Sequence, residues 1–170
     1  MVLESHKHNS QEARAAFDKG ELHHSNRRFV DALREFKAAY RLDPDNDRYL
    51  FKVAAAYHNT EQYEKSAEMY AELIERLENK PFREALLLAL AYRGGNLAML
   101  GKYDEARELI DKALEMDSVS VIGLAMKAQL YLSQGYPRDA LEYIQRAHEI
   151  DPGNKIVCAI RNRALNHLEP

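Results

Sequence analysis

The sequence predicts an all-α protein: a right-handed α-solenoid of four helix pairs, closed by a C-terminal capping helix. Three observations carry this. Ala and Leu are abundant, whereas Trp is absent and Gly and Pro number only 7 and 5, a balance that favours helix. Apolar residues recur at spacings of three and four, the period of one helix face. Above all, the chain repeats itself.

The repeat is visible in "RRFVDALREFKAAYRLDPDN", "EQYEKSAEMYAELIERLENK", "GKYDEARELIDKALEMDSVS" and "GYPRDALEYIQRAHEIDPGN". Each carries a small anchor residue, Ala32, Ser66, Ala106 or Ala140, followed four residues later by Phe36, Tyr70, Ile110 or Ile144. The anchors stand 34, 40 and 34 residues apart. A second helical segment precedes each one. Twelve residues upstream of the anchors, Gly20, Ala54, Gly94 and Ala128 are small every time. A small residue at the centre of a helix face admits a neighbouring helix. That accounts for Gly94 inside "LALAYRGGNLAML", where glycine costs about 1 kcal/mol relative to Ala.

The elements follow in order. Helices are expected over about 11–25 with 29–42, 46–59 with 63–78, 82–99 with 103–116 and 119–133 with 137–150, and a last one over 154–168. Asp43-Pro44 and Asp151-Pro152 end helices, because a residue before Pro avoids the α region. Pro137 falls in a first helical turn, where its missing N–H is not needed. The repeats then occupy 13–46, 47–86, 87–120 and 121–154 within a domain of 11–154, after a flexible tail over 1–10. Residues 155–170 form the cap, with Ile156, Ile160 and Leu165 expected against the last repeat and Arg161, Asn162 and Asn166 toward water. The second repeat departs from the pattern, with Ser66 as its anchor and six extra residues around "LENKPFREALLL".

The period, the Gly/Ala-then-Tyr pattern of the first helices, the Ala-then-Phe/Tyr pattern of the second and the closing Asp-Pro resemble the tetratricopeptide repeat family, over roughly residues 13–154. The resemblance implies a scaffold whose first helices line a concave surface that holds a peptide or partner segment. The repeat offsets place Phe17, Arg48, Phe51 and Lys52 on that surface in the first two repeats. They place Leu88, Tyr92, Gly95, Met99, Ile122, Met126 and Gln129 there in the last two. The later half is apolar where a solvated face is polar. Contiguous exposed apolar surface marks interaction sites, and Met adapts to irregular partners. Gly95 is expected to leave a bare dent in the wall. The competing reading is that part of this face packs between consecutive first helices. The Lys/Asn/Arg clamp with which some relatives grip acidic chaperone tails is absent: Phe17, Glu21, Tyr92 and Met126 stand at the corresponding places, and only Arg48 and Lys52 are basic.

The remaining chemistry is sparse. A net charge of −3 with alternating local signs argues against nucleic acid. No apolar run reaches the ~20 residues of a membrane span. One cysteine, Cys158, makes no internal disulfide and fits a reducing compartment, so the expected location is the cytoplasm. His6 with His8 and His23 with His24 lack the three or four converging ligands of a metal site. No catalytic triad, phosphate loop or cofactor motif is present, so the expected function is non-catalytic and cofactor-free. Two classes remain. One is an adaptor or chaperone-like scaffold holding an apolar segment of a protein partner. The other is an assembly module that self-associates or packs in a larger complex, suggested by the apolar run Phe82, Leu86, Leu87 and Leu88.

Overall fold

The computed structural model describes residues 2–168, with side chains from Ser10 onward. Among these residues there are nine α-helices and no strand: α1 (Val2–Ser25), α2 (Phe29–Leu42), α3 (Asp47–Asn59), α4 (Tyr63–Leu77), α5 (Arg83–Met99), α6 (Tyr103–Met116), α7 (Val121–Ser133), α8 (Pro137–Ile150) and α9 (Lys155–Asn166). The architecture is the expected all-α solenoid of helix pairs. Helix α1 begins at Val2 rather than near residue 11; the side chains of the expected tail, His6 and His8 included, lie outside the described residues. Tertiary contacts divide the chain into two compact units, Met1–Arg76 and Leu77–Pro170.

In the first unit α1 packs on α2 and α2 on α3. Gly20 is where α1 and α2 meet: a Cβ there would lie 2.6 Å from the Phe36 ring. Phe17 stacks obliquely on Phe36 and Tyr49, at ring-centre distances of 5.6 and 5.0 Å. The odd anchor Ser66 keeps the same close contact, since its buried hydroxyl donates to the Ala54 carbonyl at 2.8 Å. Arg76 ties the α2–α3 turn to α4: it donates to the Pro44 carbonyl (2.8 Å), the Tyr40 hydroxyl (3.0 Å) and Glu72 (2.5 Å), and faces Asp47 at 3.6 Å. Burial and the hydrogen bond to Glu72 push the Tyr40 phenol above its usual range.

In the second unit α5 packs on α6 and α7, α7 on α8, and α9 on α8 and α7. A Cβ on Gly94 would meet Ile110 at 2.6 Å and the Ala106 carbonyl at 3.0 Å, and one on Gly123 would meet Leu114 at 2.8 Å. Lys127 is buried and ion-paired with Asp111. Of the six extra residues, four lengthen α5, which has 17 residues against 13 in α3 and α7; one lengthens α4 and one the loop that follows. The capping helix corrects the expected stripe. Val157, Ile160 and Ala164 are its buried residues, while Ile156 is half-buried and Leu165 exposed. Val157 and Ala164 stand 34 residues after Gly123 and Leu130. The cap therefore buries the positions that repeat Gly123 and Leu130 of α7, the first of which meets Leu114 of α6.

The turn inside each pair has one backbone form and four different sequences. At Arg27, Glu61, Gly101 and Gly135 φ is 59°, 59°, 76° and 82°. In each, the next residue's N–H bonds five residues back (Arg28 to His23, Gln62 to Tyr57, Lys102 to Leu97, Tyr136 to Tyr131, all 2.9 Å), and the left-handed residue's own N–H bonds three back. This is a Schellman helix end. Between pairs, Asn46 and Asn154 cap α3 and α9 with side-chain oxygens while their amides donate to Asp43 and Asp151. The Asp-Pro-x-Asn sequence thus builds both ends of its turn.

Two stability measurements test this packing. Gly94→Leu overpacks the α5–α6 contact and should destabilise by about 1–3 kcal/mol in urea unfolding; an unchanged midpoint would refute the register. Gly101→Ala should lose about 1 kcal/mol, whereas Arg27→Gly should gain about 0.5–1 kcal/mol by relieving a left-handed backbone. Both substitutions moving stability in one direction would show that φ is not what governs these turns.

Candidate functional site

On α5 and α7 the expected apolar face separates into a packed layer and an open one. Ala91, Ala98 and Ala125 are fully buried. Gly95 leaves no dent: the Met126 side chain, itself buried, fills the place where a Cβ would project. The Gly95–Met126 contact joins the consecutive first helices α5 and α7. Leu88, Tyr92 and Ile122 remain half-buried, and Met99 is 37% exposed. Burial pushes the Tyr92 phenol above its usual range.

A polar cluster closes this face toward α9. Gln129 is buried, and its amide donates to the Met99 thioether and to the Ser133 hydroxyl, both at 3.1 Å. Its carbonyl oxygen accepts from Arg163 of the cap. Sequence reasoning missed Arg163, although a signal existed: it stands 34 residues after Gln129 and so repeats its position.

The first unit differs. Phe17 is 3% exposed and belongs to the core, with the Arg48 guanidinium 4.5 Å above its ring centre. Phe51 is half-buried edge-on to Tyr70, at 5.5 Å. Lys52 sits 2.9 and 3.2 Å from the two Glu21 carboxylate oxygens. Asn59 meets His24 at 3.1 Å. This face carries paired charge over a buried aromatic layer.

A third feature was not expected. An open depression of about 460 Å³ lies between the α1–α2 and α3–α4 turns, lined by Arg27, Arg28, Phe29, Val30, Asp31, Asn59, Thr60 and Glu61. The Arg28 guanidinium donates to Asp31 at 2.8 and 3.0 Å and holds its carboxyl below the usual range. Among the described residues, no group of three or more His, Cys, Asp or Glu could hold a metal ion, and no helix is long and apolar enough to cross a membrane.

Helix pairs that bury one face and leave the other for contact define a class, the helical-repeat scaffold for protein–protein interaction. Within it, the chain belongs to the tetratricopeptide repeat family, whose model matches residues 2–47, 17–83 and 97–155. No curated protein sequence matches the chain. Among solved structures, 88% of the chain aligns with a chain of the APC/C hetero-tetramer Cut9-Hcn1 at a TM-score of 0.69 and 16% identity, and spans 29% of that protein's length. YrrB, a TPR protein with an unusual peptide-binding site, aligns at 0.62 and 20% identity over 88% of this chain and 74% of its own. The TPR2AB domain of yeast Sti1, solved with a pHSP90 partner, aligns at 0.56 and 18% identity over 92% and 70%. At these identities the likeness is one of fold.

Because Met126 occupies the space beside Gly95, Gly95→Phe is expected to destabilise the protein by at least 1–3 kcal/mol through overpacking. Thermal unfolding checks this; a wild-type Tm would mean that Met126 swings clear without cost.

Proposed function

We propose that the α5–α7 face binds a short apolar segment of a protein partner, an amphipathic helix or an extended peptide, in an adaptor or chaperone-like role. The observation that carries the reading is the open layer of Leu88, Tyr92, Met99 and Ile122 above a packed layer of small residues. The packed layer makes the face rigid, so little ordering is lost on binding. Each large apolar side chain buried there contributes roughly 1.5–3 kcal/mol. Two such anchors supply about 3–6 kcal/mol, short of the roughly 8 kcal/mol of a micromolar complex, so a partner needs further contacts beside them.

The assembly reading is kept as second because Phe82 is 55% and Val119 59% exposed. Arg83 of α5 donates to the Met116 carbonyl at the end of α6 at 2.9 Å, which brings the segments bearing both residues to one edge.

The two readings separate in one experiment. Met99→Asp and Ile122→Asp are made in the intact chain and assayed by pull-down and by sedimentation at several concentrations, beside Phe82→Ser. Each face substitution should weaken partner capture at least tenfold, about 1.4 kcal/mol, and leave sedimentation unchanged. Normal capture by both folded face variants, with association lost in Phe82→Ser, would replace the groove by the assembly reading.

A further inference from the structure

The depression between the two turns of the first unit is bordered by the two helix-pair turns whose left-handed residue is not glycine. At Arg27 and Glu61 φ is 59°, a conformation that residues other than Gly, Asn, Asp and His seldom adopt. In the second unit the same turn position holds Gly101 and Gly135. The chain thus carries two long charged side chains where the backbone favours none, and both line one depression of about 460 Å³. The charges there are unequal in status. Arg28 is consumed by Asp31 in a two-point contact. Asn59 is engaged with His24, and the Thr60 hydroxyl with the carbonyls of Ala56 and Tyr57. Among the described residues, no ion pair or side-chain hydrogen bond is made by Arg27 or by Glu61. Val30, on the first turn of α2, lines the same depression and is 74% exposed.

We infer that this depression is a second protein-docking site, separate from the α5–α7 face, and that its occupant is a partner segment bearing an acidic, an apolar and a basic residue in close succession. The acid pairs with Arg27 on one turn, the base with Glu61 on the other, and the apolar side chain covers Val30. Charge complementarity selects this occupant: a purely acidic segment meets Glu61 and a purely basic one meets Arg27, and like-charge contact disfavours both. The Schellman turns fix both Cα positions, so the two charges are held on a frame.

Glycine substitution separates the structural role of these residues from the docking role. Arg27→Gly and Glu61→Gly relieve the backbone, so both variants should fold with a Tm at or above that of the parent. The probes are end-blocked peptides centred on Glu-Leu-Lys, on Lys-Leu-Glu and on the uncharged Gln-Leu-Gln, titrated into the labelled full chain and followed by amide chemical shifts. One charged order should move the amides of residues 27–31 and 59–61 more strongly than the uncharged peptide. Each glycine variant should weaken that binding about two- to fivefold, the worth of an exposed ion pair, and Val30→Asp should weaken it further. The inference falls if no peptide moves these amides, if the glycine variants bind like the parent, or if the shifts appear on α5 and α7 instead. Because the α5–α7 face is tested through Met99 and Ile122, either site can fail without the other.

Discussion

The distance between the two helices of a pair governs everything else in this structure, and it is set by a residue with almost no side chain. Beneath Gly20 lies the Phe36 ring, and beneath Gly94 lie Ile110 and the Ala106 carbonyl, each near enough to exclude a Cβ. Ala54 plays the part in α3, where Ser66 adds a hydrogen bond to the contact instead of disturbing it. With the helix pair drawn this close, the rotation of each first helix is fixed. One face goes to its second helix, another to the neighbouring pair, and the third is left for contact. The adjacent glycines of α5 serve two of these faces. Gly94 receives α6, and Gly95, about 100° further round the helix, receives Met126 of α7. A pair of residues that weakens an isolated helix is needed because two helices approach α5 from different sides.

The turns show the same economy of form. Four sequences end their first helices with one hydrogen-bond pattern, although two have glycine at the left-handed position and two do not. Backbone geometry dictated by the packed pair overrides the local preference of Arg27 and Glu61. The Asp-Pro-x-Asn turns work in the opposite direction: there the local side chains of Asp43 with Asn46, and Asp151 with Asn154, build the turn themselves. One kind of turn is imposed by packing and the other is written locally.

The first helices of the two units carry different chemistry, each unit taken by itself. On α1 and α3 charges are already paired, Lys52 with Glu21 and Arg48 over Phe17. On α5 and α7 the outer layer is apolar and bordered by the Gln129–Arg163 cluster. Paired, exposed charge discriminates among partners at small net gain, while apolar area supplies affinity.

The period, the helix-pair assignment, the boundaries within about two residues for α2–α9 and the small-residue contacts at Gly20 and Gly94 were all determined by the sequence alone. The helices and contacts depend on residues three to sixteen apart on one chain segment, and the period on their recurrence every 34 to 40 residues, where periodicity speaks directly. What remains open on the face was decided by tertiary structure: Phe17, Gly95 and Met126 carry the right offsets yet are buried, since their exposure depends on how near the next helix comes. The cap's register was decided there too, because Val157 and Ala164 are buried where α9 packs on α8 and α7. So were the reach of Arg163 to Gln129 and the depression between two turns. Each of these depends on contacts between different helices, set by side-chain length and helix separation, quantities that no periodic pattern contains.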